Sequence, residues 1–211
     1  MRKSTDRIRD KKKKLKKITL ILIAVLLFVG LLWLILYGIT ALLSGGREES
    51  ADTSFFEPDY EENILEDQLY LSKNRMVYYL EYGSGEVVTS DNINNLPDCA
   101  RFFDTYFKTV INGDYNKYRT FFTDNYIKEN VLPERFTMQR IYDIEVDLYD
   151  KRQDADIVIE TFVVRYKIMF NNGTFRSDVG SNVIKPLVFE LYRTGDSVLI
   201  NAIKEKKTVF E

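Results

Sequence analysis

Residues Ile18 to Leu43, twenty-six positions without a charged side chain, constrain this chain more than any other stretch. At about 1.5 Å rise per residue the run is roughly 39 Å long as a helix, enough to cross a hydrocarbon core of about 30 Å with some tilt. The spacing therefore predicts a transmembrane helix over 18–43. Charge orients it. Residues 1–17 carry ten Lys or Arg against Asp6 and Asp10, a net +8 in a chain whose total is −2. Positive charge beside a span stays on the cytoplasmic side, so the basic tail 1–17 is expected inside and residues 44–211 outside. Lys16 and Lys17 flank the inner end, while Trp33 and Tyr37 suit the outer headgroup level. A cleaved signal peptide fits poorly, because its apolar region is about 7–15 residues and Ala41-Leu42-Leu43-Ser44 is no small-x-small site. No Cys follows the run closely enough for a lipid anchor. Gly30 and Gly38 stand eight apart, so no Gly-x-x-x-Gly dimer motif is written in the span.

The 168 residues after the span are enough for a linker and one domain with its own core. From Ser44 to Glu62 the chain is small and acidic, with Glu48, Glu49, Asp52, Glu57, Asp59, Glu61 and Glu62. That composition predicts a flexible spacer over 44–62. Over 63–96, Leu65, Leu69, Met76 and Leu80 have roughly helical spacing, so a helix through about Tyr79 followed by a loop is expected. A hairpin across Met76 to Thr89 is the alternative.

Residues 97–211 read as the main domain. Cys99, Phe102, Phe103, Tyr106, Phe107 and Val110 recur at i, i+3, i+4, i+7, i+8 and i+11, an amphipathic helix with an aromatic stripe. Pro97 suits its first turn and Gly113 a left-handed cap. Asp114 then caps a second short helix with Tyr115, Tyr118, Phe121 and Phe122 on its buried side, and a helical turn near Tyr126 to Asn130 ends before Pro133. After Phe136 the period becomes two. Tyr142, Ile144, Val146 and Leu148 alternate with polar residues, and Ile157 to Phe170 forms a long strand with a bulge. Asn172-Gly173 predicts a turn back into a run from Thr174 to Arg193, with Leu187, Phe189 and Leu191 on one face and a break or bulge at Gly180 and Pro186, and Val198 to Lys206 a closing strand.

The sequence has no His, which removes imidazole as base or metal ligand. Cys99 lies on the apolar stripe with no histidine to activate it, so it is expected in the core. No phosphate loop, nucleophile elbow or calcium loop is present. An Asp base with a Tyr donor is the one enzyme reading left: Asp104, Asp124 or Asp143 with Tyr106 or Tyr142. Asp104 and Asp143 fall on polar faces and Asp124 at a helix start, so no catalytic residue, metal or cofactor is expected. The lysine-rich tail has no aromatic residue to stack on bases, so membrane lipid and not nucleic acid is its expected partner.

Two or three helices followed by four or more long strands predict an α+β fold, a curved antiparallel sheet wrapped on an apolar helix. With Phe102-Phe103-Asp104-Thr105-Tyr106-Phe107, then Gly113-Asp114-Tyr115 and a second aromatic helix, this order resembles the nuclear transport factor 2-like superfamily over about residues 96–207. The resemblance implies a cone whose mouth could be lined by Tyr106, Phe162 and Tyr166, the basis for an alternative reading as a module binding an apolar ligand or peptide. A basic tail, one span, a spacer and an outer cone together resemble the bitopic assembly proteins of type IV secretion and conjugation. That implies a non-catalytic scaffold contacting other envelope proteins and copies of itself, and it assigns no interface residue. Strand addition at a sheet edge is a further way such a domain could recruit a partner.

Overall fold

The computed structural model describes residues 54–206. The expected span 18–43, the basic tail and the flanks Lys16, Lys17, Trp33 and Tyr37 lie outside these residues. Among the described residues no helix is long and apolar enough to cross a membrane.

Residues 54–62, expected as part of a free spacer, run extended against the domain. The Phe56 amide donates to the Asn171 carbonyl at 3.1 Å. Its ring meets Phe170 edge-on at 5.1 Å, and Arg135 lies 4.1 Å over the Tyr60 ring. Arg140 then forks onto the carboxylates of Glu62 and Asp67. Acidic composition argued for disorder, but the rings of Phe56, Tyr60 and Phe170 and the two arginines, Arg135 and Arg140, supply enough specific contact to hold the strap.

A 3₁₀ turn at Ile64–Glu66 leads into α1 (Gln68–Leu71), capped by the Asp67 side chain, which accepts from the Leu69 and Tyr70 amides. The helix stops after one turn. The next elements are β1 (Val77–Glu81) and β2 (Ser84–Val87), so the expected helix through Tyr79 is wrong and the hairpin is right. The side chains that suggested helical spacing, Leu65, Leu69 and Met76, are all exposed, whereas Ile64, Tyr70, Val77 and Tyr79 enter the core. Tyr82 and Gly83, both with positive φ, close the two-residue turn between the strands, a geometry whose twist matches that of paired strands.

A second 3₁₀ turn (Ile93–Asn95) precedes α2 (Asp98–Ile111), α3 (Tyr115–Tyr118) and α4 (Asp124–Glu129). α2 and α4 follow the sequence expectation, whereas α3 stops at Tyr118 and a 3₁₀ turn over Arg119–Phe121 carries Phe121 inward. Pro97 starts α2, the Asp114 carboxylate accepts from the Lys117 amide to cap α3, and Thr123 caps α4. Gly113 ends α2 at φ +68°, and a Cβ there would lie 2.8 Å from the Met138 backbone nitrogen. Gly113→Ala is therefore expected to destabilise by about 2 kcal/mol, the left-handed cost plus the clash, measurable by urea unfolding.

The strands β3 (Ile141–Asp154), β4 (Ile157–Ile168), β5 (Leu187–Thr194) and β6 (Ser197–Glu205) complete a six-stranded sheet in the order β2-β1-β3-β4-β5-β6. Every pairing is antiparallel except β1 with β3. The fold is thus α+β with a curved sheet, and the entirely antiparallel expectation is corrected at that one pair. β2 returns the chain to the end of the sheet at which β1 began, and β3, entered after α2, α3 and α4, therefore runs in the same direction as β1.

Two further differences concern the strands. The expected bulge lies in β3, not β4: register slips between Tyr142 and Glu145, where Asp143 has φ +52°, and again between Leu148 and Asp150. Tyr142 therefore leaves the stripe of Ile144, Val146 and Leu148, and Ile141 replaces it on the inner face. The turn at Asn172-Gly173 is also not a tight hairpin, because the chain stays irregular to Pro186 before β5 begins. Asn171 organises that loop, its amide donating to the Arg176 and Val179 carbonyls at 2.9 and 2.7 Å.

The core sits between α2 and the concave face of the sheet. Phe103 is fully buried, with ring centroids 5.1 Å from Phe162 and 5.6 Å from Phe189. Tyr106 and Phe107 continue the contact to Phe189 and Tyr166. Edge-to-face pairs of this kind add about 0.5–1.5 kcal/mol each beyond area burial.

Candidate functional site

Of the three residues expected to line a cavity, the structure brings together two. Tyr106 and Tyr166 face a space of about 210 Å³ with Tyr118, Tyr126, Phe175 and Arg176. Phe162 is not there. It is fully buried deeper in the core, between Phe103 and Tyr79. The space is smaller than the ~300–1,000 Å³ usual for a ligand pocket.

Its polar wall is self-satisfied. Arg176 sits 8% exposed and donates to both carboxylate oxygens of Asp178, at 2.7 and 2.5 Å, and to the Tyr166 hydroxyl at 3.2 Å. Lys185 approaches Asp178 at 3.2 Å from outside. Burial alone would raise the Asp178 pKa, but hydrogen bonds and charge from Arg176 and Lys185 outweigh it and hold the carboxyl down at about 2. Burial pushes the Tyr106 and Tyr118 hydroxyls well above their ordinary value and raises that of Tyr166, so all three stay neutral at physiological pH.

A second polar cluster lies at the opposite end of the concave face. Glu160 is 4% exposed. Its carboxylate accepts from the Cys99 thiol at 2.7 Å, pairs with Lys151 at 2.8 Å and has Arg193 at 3.5 Å. Burial opposes its charge, yet those three donors lower its pKa. Cys99 is in the core as expected, and burial followed by the Glu160 carboxylate pushes its thiol strongly upward. In the folded protein Cys99 is expected to resist a thiol reagent and to label only on unfolding, a comparison that one chromophoric disulfide assay makes. Glu160 escaped the sequence reading, although a signal exists. It falls on the inward phase of β4, between Val158 and Phe162, where a charged residue requires buried partners.

The carboxylates considered for catalysis stand apart. Asp104 is buried, contrary to its expected place on a polar face, and pairs with Lys108 one turn on at 2.7 Å. Asp143 is exposed and pairs with Lys167 at 3.0 Å. Asp124 opens α4. Tyr142 lies on the outer sheet face, its hydroxyl donating to Asn182 at 2.9 Å and its ring flanked by Lys73 and Lys167.

The convex face of the sheet is the more unusual surface. Ile159 and Val163 point outward yet are buried, and both stand outside the main core cluster. The helices pack on the concave face and at the β6 edge. An open groove of about 810 Å³ runs across β3 to β6, lined by Tyr149, Thr161, Val163, Val188, Lys204 and Lys206. Register fixes one row across it: Asp147 opposite Val163, Val163 opposite Val188, Val188 opposite Lys204. Tyr149, displaced outward by the second β3 slip, is 76% exposed at its edge.

No protein-family model, curated protein or solved structure matches the chain. The chemistry of the surfaces is left to carry the reading. Among the described residues no group of three or more carboxylates or cysteines is placed to hold a metal ion.

Proposed function

We propose that this chain is a non-catalytic scaffold, held by one membrane span with its domain outside the cell membrane, that assembles with other proteins of a bacterial envelope machine of the secretion or conjugation type. The observation carrying this reading is the open groove on the outer sheet face beside Tyr149 and Val188, rimmed by Lys204 and Lys206, which no described helix covers. An apolar patch rimmed by polar residues on a folded domain is characteristic of protein contact surfaces. The inner cavity is small and its charged groups are already paired, which favours contact over ligand chemistry. The fold class is compatible with the nuclear transport factor 2-like cone that the sequence resembles. The orientation rests on the +8 tail and the 18–43 run.

Crosslinking the full chain in its native membrane and identifying what it captures tests the reading. Recovery of channel-forming subunits or their ATPase is expected; recovery of the chain with no envelope protein attached would sink it. Protease added to intact cells is expected to cleave the region from residue 44 onward, and its complete protection would reverse the orientation.

A further inference from the structure

The six-stranded sheet ends on β6 at one side and on β2 at the other, and the chain treats the two edges differently. β6 is bridged at Ile200 by Phe122, and the Thr123 amide donates to the Ile200 carbonyl at 3.0 Å. Among the described residues no strand pairs with the outer side of β2. Hydrogen bonding across an antiparallel pair alternates, so every second residue of an edge strand turns its N–H and C=O outward. The Val88 amide bonds the Val77 carbonyl at 2.8 Å, which fixes the phase: Gly85 and Val87 are the β2 residues that face out. The Asn92 side chain already donates to the Val87 carbonyl at 2.9 Å. The Gly85 N–H and C=O and the Val87 N–H have no partner among the described residues.

The side chains around these groups define what a further strand would carry. On the concave face Glu86 stands opposite Tyr79 and Ser84 opposite Glu81, and a groove of about 500 Å³ opens between them and Leu96 and Pro97 at the start of α2. Neither Glu81 nor Glu86 has a cation within ion-pair distance among the described residues. Glu81 has the Tyr79 hydroxyl at 3.5 Å, and Glu86 accepts from the Asn92 amide at 3.2 Å. On the convex face the Tyr78 hydroxyl would stand 2.6 Å from a Cβ at position 85, so the edge there is bare backbone beside an aromatic ring.

We infer that this edge is a docking site for an extended segment of another protein, with a Lys or Arg on each side of an apolar residue. The apolar residue pairs with Gly85 and lies beside Tyr78. Side chains alternate along a strand, so both basic neighbours enter the concave groove at Glu81 and Glu86. Main-chain bonds to the edge give affinity and the alternate side chains give specificity. β2 has four residues and offers three free backbone groups, so charge complementarity does the selecting. The site is separate from the outer groove and does not rest on it.

The probe is a blocked, fluorescently labelled peptide, Thr-Lys-Val-Lys-Thr, titrated into the full chain in nonionic detergent and read by anisotropy. Saturable binding is expected, weaker by at least about tenfold when both lysines of the peptide become glutamates. Gly85→Pro removes the outward N–H without touching the β1 pairing, a change that edge strands tolerate, and is expected to weaken binding at least about tenfold. Gly85→Ala crowds Tyr78 in the same way but keeps the N–H, and is expected to bind within about threefold of the parent. Equal binding by the proline variant, or equal loss in both variants, would mean attraction without strand pairing and would overturn the inference. Glu81→Lys combined with Glu86→Lys is expected to reject the lysine peptide and take Thr-Glu-Val-Glu-Thr, an exchange that misfolding does not produce; its absence would count against the register. If the full chain sediments as a dimer that Gly85→Pro dissociates, a second copy fills the edge and the inference falls. Failure of the lysine peptide to bind the parent chain also ends it, and leaves the scaffold reading standing on the outer groove.

Discussion

Replacing Phe103 by alanine is expected to cost about 4 kcal/mol of folding free energy, the range for a fully buried phenylalanine. The ring stands where α2 meets the middle of the sheet, in edge contact with Phe102, Phe162 and Phe189. Those neighbours are themselves fixed by β4 and β5, so the space left behind cannot close without moving the sheet. Equilibrium unfolding of the full chain in urea, followed by far-ultraviolet circular dichroism, measures the loss. A change under about 1 kcal/mol would mean that the core repacks around the gap. The half-exposed Phe170, at φ +51°, is the natural contrast. Its truncation removes little buried surface and is expected to cost less than about 1 kcal/mol.

The second large effect is electrostatic. Asp178→Ala leaves the Arg176 guanidinium buried beside the Tyr106, Tyr118 and Tyr166 cavity with only a tyrosine hydroxyl for company. Breaking one half of such a buried pair is expected to cost about 3 kcal/mol, more than the intact pair contributes, because the remaining charge keeps its desolvation penalty. The pH dependence follows from the direction of the shift. The folded carboxyl titrates at about 2, below the ~3.9 of an unfolded chain, so its stabilisation is fully present above that value and is lost as pH falls towards 2. The side chain is about a third exposed, so screening holds the linked part to roughly 1 kcal/mol. Melting temperatures taken between pH 7 and pH 2 are expected to fall less steeply in Asp178→Ala than in the parent at the acid end. Parallel slopes would show that Asp178 is not the linked group.

Where local signals and burial agreed, the sequence was enough. α2 was legible because its aromatic stripe, Pro97 and the Gly113 cap all point the same way, and α3 because Asp114 is an unambiguous cap. Residues 63–96 were misread because Leu65, Leu69 and Met76 have helical spacing but remain at the surface, so periodicity carried no information about burial there. Pairing β1 in parallel with β3 is a long-range choice that no local pattern encodes. The phase of β3 was hidden for another reason. A bulge at Asp143 inserts one residue, and a strict alternation count assigns Tyr142 to the wrong face. At the candidate sites, Tyr106 and Tyr166 were identifiable from α2 and β4, but Arg176, Asp178 and Glu160 were not, since their partners arrive from an irregular loop and from neighbouring strands. The outer row from Asp147 to Lys204 could be recognised only once four strands were in register.

The strap at residues 54–62 has a mechanical consequence. Tension entering the domain at residue 54 meets the Phe56–Asn171 hydrogen bond first and the Arg140 fork on Glu62 and Asp67 next, well before it reaches β1. Arg140 stands beside the first residue of β3, next to β4 in the middle of the sheet, so a pull is shared into the sheet instead of peeling its edge strand. The strap thus acts as a strain relief, and the β2–β1 hairpin behind it is shielded from load carried along the chain.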